Sequence, residues 1–252
     1  MMKSIGNISV WVILSSLVLI CAGWGMHSSY ELREVEISLK SDTHDEAALV
    51  NEEYIRDYIY DRLGVDLHLL SSAERELLVN LEQILDENPF VEKAKVFEGQ
   101  SGSLHLHINT KQPIARVIDA TGKNYYITNK QDIVPFSYSY SPRVMVLTGY
   151  VPQVNEEGWQ GILDLSLTIH EDEFLRPLIE SIRIDKEQKF YLVPKVGNFN
   201  IRLGELKDVD EKIDKLKTFY KSTYDKINWA MYRSIHLDFK NQIVLKKKNN
   251  RT

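Results

Sequence analysis

NPFVEKAKVFEGQSGSLHLHINTKQPIARV, residues 88–117, decides how the first half of this chain folds. Asn88-Pro89 ends a helical pattern, because proline lacks the amide donor and disfavours helix in the residue before it. Ala94 and Val96 then alternate with Lys93 and Lys95, and beyond a turn from Gly99 to Gly102 Leu104, Leu106 and Ile108 alternate with His105, His107 and Asn109. Apolar residues at every second position predict two strands joined as a hairpin with one buried face.

Towards the N-terminus, Val35, Ile37 and Leu39 alternate with Glu34, Glu36 and Ser38, which predicts a first strand, and a polar linker follows from Ser41 to Ala47. Asn51 is placed to cap a helix with Glu52 and Glu53 in its first turn, its apolar face made by Ile55, Ile59 and Leu63, and Gly64 as its stop. Ser71 to Glu74 has capping-box spacing, and Leu77, Leu78, Leu81, Ile84 and Leu85 form a second apolar stripe. The order is β-α-α-β-β. Two helices with one apolar face each need a sheet to bury it, and the three strands supply one.

Towards the C-terminus the pattern breaks into short strands at Ile114–Ile118, Tyr125–Ile127, Val144–Leu147, Ile182–Ile184, Phe190–Val193 and Ile201–Leu203. Helices are expected from Ile162 through Ile169, continuing towards Leu175 before Pro177, and from Val209 through Ile213, Leu216, Tyr220 and Tyr224 to Ile227. Two last strands, Ile235–Phe239 and Ile243–Lys247, flank Lys240-Asn241-Gln242. The fold class is therefore α+β: an N-terminal membrane helix, a small β-α-α-β-β domain, then a β-rich domain with a long helix.

The membrane helix rests on residues 8–26, which hold no charged side chain, a length that spans a bilayer core. Lys3 precedes the run and Glu31, Arg33, Glu34 and Glu36 follow it, so the charge balance favours an N-terminus in the cytoplasm and the bulk of the chain outside it. A cleaved signal peptide is the rival reading, disfavoured by the length of the run and by Ala22-Gly23-Trp24, a poor cleavage site. Cys21, the only cysteine, falls in this run, so the remainder has no disulfide and relies on its cores. A net charge of −5 gives no global positive field for nucleic acid, and Lys246-Lys247-Lys248 with Arg251 reads as a solvated basic end.

Several short motifs together resemble one family. Pro89-Phe90-Val91, Ala94, Val96, Phe97 and Lys111-Gln112-Pro113-Ile114-Ala115 are similar to the end of the POTRA domain in the bacterial cell-division family FtsQ/DivIB, which usually shows Pro-Trp-Val and Glu-Arg-x-Pro-Val-Ala there. Tyr125-Tyr126-Ile127 with Val134-Pro135 follows that family's Tyr-Tyr-Leu-Val-Asp pattern, with Thr128 in place of the aspartate. Val146-Leu147-Thr148-Gly149, Ile201-Arg202-Leu203-Gly204 and Ile235-His236-Leu237-Asp238-Phe239 resemble its later strands. Each motif is short; their order along nearly the whole chain makes the resemblance specific.

The resemblance implies a cytoplasmic tail at 1–7, a transmembrane helix at 8–26, a POTRA domain at 32–111, a β domain at 112–248 and a tail at 249–252. It also implies a non-enzymatic divisome scaffold in the cytoplasmic membrane at the septum, linking early and late cell-division proteins and recruiting or regulating septal peptidoglycan synthesis. Its partners would be FtsB/DivIC-like and FtsL-like coiled-coil membrane proteins and other divisome proteins, with no cofactor. An exposed edge strand lets another chain add a strand of its own, and the family places that contact on the final strands. The candidate residues are Leu237, Phe239, Ile243 and Leu245, with Arg233 and Lys246 as charge contacts; for Leu237 and Leu245 core packing is an equal alternative.

No phosphate loop, Gly-x-Ser-x-Gly elbow or His-Glu-x-x-His is present. His105 and His107 share a strand face without evident further metal ligands, and read as solvated. Asp119, Asp132, Asp164 and Asp172 are scattered among turns and helix surfaces, which suits solvation and capping more than acid–base pairing. Tyr138, Tyr140 and Tyr150 form a Tyr-rich, Pro-bounded region that is a second candidate for partner contact, with solvent exposure as its ordinary reading. The alternatives to a scaffold are a signal-anchored envelope hydrolase and a POTRA-type component of outer-membrane transport.

Overall fold

The computed structural model describes residues 34–40, 49–64, 66–69, 75–99, 102–138, 141–223 and 225–248. The expected tail and membrane helix at 1–7 and 8–26, the linker at 41–47, the capping box at 71–74 and the end at 249–252 lie outside them. No helix among the described residues is long and apolar enough to cross a membrane. The described chain forms two compact units, 34–40 with 52–109 and 49–51 with 110–248.

In the first unit the elements run β1 (Val35–Lys40), α1 (Glu52–Leu63), α2 (Arg75–Asp86), β2 (Val91–Glu98) and β3 (Leu104–Thr110). The hairpin read from the sequence is present, and β1 adds to it in parallel, with Val35 opposite Leu104 and Leu39 opposite Ile108, giving the order β1-β3-β2. Ala94, Val96, Leu104, Leu106 and Ile108 are buried, as are Ile55 and Ile59 of α1 and Leu81, Ile84 and Leu85 of α2. The helix stripes and the strand alternation thus face one core. β2 is an edge of this sheet, yet its Ala94 and Val96 amides donate to Asp86 Oδ1 and Glu82 Oε1, both at 2.8 Å. Carboxylates of α2 therefore occupy donors that an edge strand normally leaves free.

The second unit is built on one mixed sheet of nine strands: β4 (Pro113–Asp119), β5 (Asn124–Thr128), β6 (Ile133–Pro135), β7 (Met145–Gly149), β8 (Ile179–Ile184), β9 (Phe190–Pro194), β10 (Asn200–Gly204), β11 (Tyr232–His236) and β12 (Val244–Lys247). Their order is β12-β11-β10-β9-β8-β7-β4-β5-β6. Parallel neighbours need a crossover. α3 (Trp159–Glu171) and α4 (Leu175–Leu178) connect β7 to β8, and α5 (Val209–Thr223) connects β10 to β11. Ile162, Leu165, Ile169, Ile213 and Leu216 from the helices pack with Val117, Leu147, Ile182, Leu192, Ile201 and Ile235 from the strands in one core. Leu49 and Val50 are buried in this unit, where the Ser137 hydroxyl donates to the Leu49 carbonyl at 3.0 Å. Gly149 ends β7 at φ +90°, with its backbone so close to the Ile184 carbonyl that no Cβ fits.

Four expectations need correction. The helix from Ile162 does not run through to Leu175: Asp172 is extended and its carboxylate accepts from the amides of Phe174 and Leu175, so a separate short helix starts. Pro177 lies inside that helix, within the first turn, where the missing amide has no partner to lose. The long helix stops at Thr223, short of Ile227, where the hydroxyls of Ser222 and Thr223 both take the Phe219 carbonyl and compete with the ladder. The strand read as Ile235–Phe239 spans Tyr232–His236. It starts early because a 3-10 turn at Trp229–Met231, capped by Asn228, delivers Tyr232 in extended conformation. It ends early because the Lys215 ammonium takes the carbonyls of Leu237 and Phe239 at 3.0 and 2.8 Å. Finally, β6 is a short strand that the sequence pattern did not predict.

Candidate interaction surface

β12 is the outermost strand of the large sheet. It pairs antiparallel with β11 on one side, Leu245 opposite Ile235 and Lys246 opposite Ser234, and no described strand lies on its other side. That outer edge, with the loop that precedes it, is where the sequence placed its candidates, and the structure divides them. Leu237 is fully buried in the core, and its amide donates to the Arg202 carbonyl at 2.9 Å; it is a packing residue, not a contact residue. Ile243 and Leu245 are half-buried and pack against the same core, so only part of each faces outward. Arg233 and Lys246 are exposed. Phe239 is 42% exposed and lies in the loop before β12, its ring stacked at 6.4 Å on His236.

The helix-free face of the sheet beside this edge carries groups that local patterns did not single out. Strand register sets Arg183 opposite Tyr191, Tyr191 opposite Arg202, Arg202 opposite His236 and His236 opposite Val244. The Arg183 guanidinium lies 4.3 Å from the Tyr191 ring centroid, and the Tyr191 hydroxyl donates to Asp185 at 3.0 Å. Arg202 Nε stands 3.4 Å from Asp238 Oδ2 without a hydrogen-bonding angle, and His236 Nδ1 is 3.8 Å from Asp238 Oδ1, also unbonded. On its other nitrogen His236 meets the Ser234 hydroxyl at 3.0 Å. Burial, together with the positive charges of Lys246, Arg202 and Arg233, outweighs Asp238 and holds the His236 imidazole below its ordinary value of 6.5. Alternation within Ile201-Arg202-Leu203 and Ile235-His236-Leu237 already puts Arg202 and His236 opposite the core side. Their adjacency depends on a parallel pairing across a long crossover, which no local spacing reveals.

The remaining candidates have structural engagements. Burial alone would raise the Asp119 carboxyl, but hydrogen bonds from the Thr121 hydroxyl, Lys123 amide and Gln153 side chain outweigh it and hold it below 3.8. Asp172 behaves alike, burial being offset by Lys217 and the two amides it caps. Asp132 stands 3.9 Å from Lys111, and Asp164 accepts from Gln160 at 2.9 Å. A cleft of about 850 Å³ opens at the ends of β4 and β7, over Val151, Phe190 and Leu206. Of its carboxylates, Asp119 is held as above, Glu156 by the Gln153 amide and Glu205 by Lys189 and Lys207, so these three form no acid–base pair. His105 binds Ser103 and Glu36 at 2.9 and 3.0 Å and stacks on Phe97, while His107 meets that ring edge-on. No metal-ligand cluster occurs among the described residues. Tyr138 is 95% exposed with its ring against Phe136, Tyr150 is partly exposed beneath Lys186, and Tyr140 lies outside the described residues.

A mixed sheet closed by helices on one face and open at its last strand defines an α+β protein with an edge available for pairing. Residues 112–245, more than half of the chain, match the family described as FtsQ/DivIB, C-terminal related, and the chain belongs to that family. Membership connects it with cell division. No curated protein matches the chain.

Proposed function

We propose that this chain is a non-enzymatic scaffold of the bacterial divisome that regulates septal peptidoglycan synthesis through protein contacts. A helix at 8–26 holds it in the cytoplasmic membrane with residues 1–7 inside, and the rest acts outside. In this reading 32–111 is a POTRA domain and 112–248 a β domain; the β-α-α-β-β order of the first unit and the family match of the second both support it. The observation that carries the proposal is the outer edge of β12, along which no described strand pairs, flanked by the exposed Phe239, Lys246 and Arg233. Such an edge offers amides and carbonyls to an added strand, while neighbouring side chains select the partner. FtsB/DivIC-like and FtsL-like coiled-coil membrane proteins are the partners proposed, with the cations meeting acidic side chains on the added segment.

The test is co-purification from detergent-solubilised membranes of the full chain and of a Phe239→Ala, Lys246→Glu variant with an unchanged circular dichroism spectrum. Small single-pass coiled-coil proteins should accompany the first and be lost from the second. Equal capture by both removes β12 as the site, and the absence of any such partner from the unaltered chain overturns the scaffold reading.

A further inference from the structure

One end of the second unit concentrates lysines around exposed apolar side chains. β10 and β11 are parallel and start at this end, while β9 and β12 run antiparallel to them and finish there. Lys195 and Val196 follow β9, Lys221 lies in the last turn of α5, Lys226 follows that helix, and Lys247 and Lys248 close β12. The Lys248 amide donates to the Met231 carbonyl at 2.8 Å, which brings the basic end of the chain against Met231. Val196 is 80% exposed and Met231 48%, and the acids at this end are Asp172, held by Lys217, with Glu173, Glu180 and Asp225.

These apolar tips have a rigid base. Trp229 stacks on Tyr220 at 5.1 Å and on Phe199 at 5.5 Å, and Phe219 meets it edge-on at 5.9 Å. Gly197, at φ +101°, presses on the Phe199 ring so closely that no Cβ fits, which fixes the turn that carries Val196 outward. Lysines, compact charges on flexible stems rather than the planar forks that suit bidentate recognition of one carboxylate, outnumber the two arginines here, Arg176 and Arg233. Diffuse positive charge around short apolar tips and an amphipathic indole suits a surface of many phosphates over hydrocarbon.

We propose that this end of the second unit docks on an anionic lipid surface. The contact is separate from strand addition at β12 and does not rest on it. Lys195, Lys221, Lys226, Lys247 and Lys248 meet head-group phosphates, and Val196 and Met231 enter the boundary between head groups and acyl chains.

The full chain, with Cys21→Ser, is labelled with a polarity-sensitive dye at Val196→Cys and mixed with vesicles of phosphatidylcholine alone or of phosphatidylcholine with phosphatidylglycerol. A second labelled chain carries the dye at Tyr138→Cys, beyond β6, and separates docking of this end from insertion of any other segment. The Val196 dye should shift to the blue with anionic vesicles only and return in high salt, while the Tyr138 dye stays in water. Charge reversal of Lys221, Lys247 and Lys248 should lower the dye's partition by ~10-fold or more, and the salt response of the unreversed chain gives the same information should that variant misfold. An aqueous Val196 dye on anionic vesicles, an equal shift on neutral ones, or an equal shift at Tyr138 overturns the proposal.

Discussion

Leu237 has no exposed surface and Phe239, two positions on in the same strand pattern, keeps nearly half of its own. Removing the buried side chain leaves a cavity in the core shared with Ile201, Leu203 and Ile235, so Leu237→Ala should cost about 2–5 kcal/mol in denaturant unfolding. Phe239→Ala should cost about 1 kcal/mol or less while abolishing partner capture. The reverse ranking would mean that the loop before β12 serves packing. His236 gives a second prediction, with a pH dependence of definite sign. Its folded value is depressed, so the unfolded chain binds the proton more readily and stability rises with pH across that interval. The contribution is complete above the ordinary value of 6.5 and is lost as pH falls from there through the folded value. Urea midpoints should therefore be lower at about pH 5.5 than at about pH 7.5, and His236→Gln should flatten the difference. Asp119, Asp172 and Asp185 act in the same direction, but their stabilisation is lost only as pH falls below the ordinary carboxylate value of 3.8, which separates the two effects.

At the scale of elements, the two sheets treat their edges differently. β2 has the Ala94 and Val96 amides held by Asp86 and Glu82 from α2, whereas β12 has no described neighbour on its outer side. A Glu82→Ala, Asp86→Ala variant should speed hydrogen exchange at Ala94 and Val96 and cost about 1 kcal/mol per lost bond. Unchanged exchange at these amides would show that the helix backbone, not its carboxylates, protects the edge. Such contacts also explain what the sequence could and could not show. The stripe of α2 and the alternation of β2 and β3 depend only on residues three or four, or two, positions apart, and both were legible. The end of β11 depends on Lys215, more than twenty residues away, and the break before α4 on a carboxylate that caps rather than continues a helix. β6 was missed because three residues ending in Pro135 make a weak pattern, tolerable only at a sheet edge. Among the site candidates, exposure of Arg233 and Lys246 followed from their polarity, while burial of Leu237 was an open alternative. Arg202 and His236 become neighbours only once β10 and β11 pair.

For the whole molecule, two separate sheets with separate cores predict that damage at the C-terminal edge stays in the second unit. A chain ending at Asn241 lacks β12 and loses the half-buried contacts of Ile243 and Leu245, but it retains Ile235 and Leu237, both fully buried. Its second unit should remain folded with weakened protection in β11, and capture of coiled-coil partners should disappear. A chain ending at Arg233 also loses Ile235 and Leu237, and with them the pairing of β10 to β11, so its second unit should fail to fold. Among the described residues β1, β2 and β3 pair only with one another. Amide exchange resolved along the sequence should thus show normal protection at Leu104, Leu106 and Ile108 in each, whatever happens beyond residue 110. If the chain ending at Asn241 still captures its partners, strand addition at β12 is excluded even though the fold survives. If the chain ending at Arg233 loses protection in β3 as well, the two units share stability that their separate sheets do not account for.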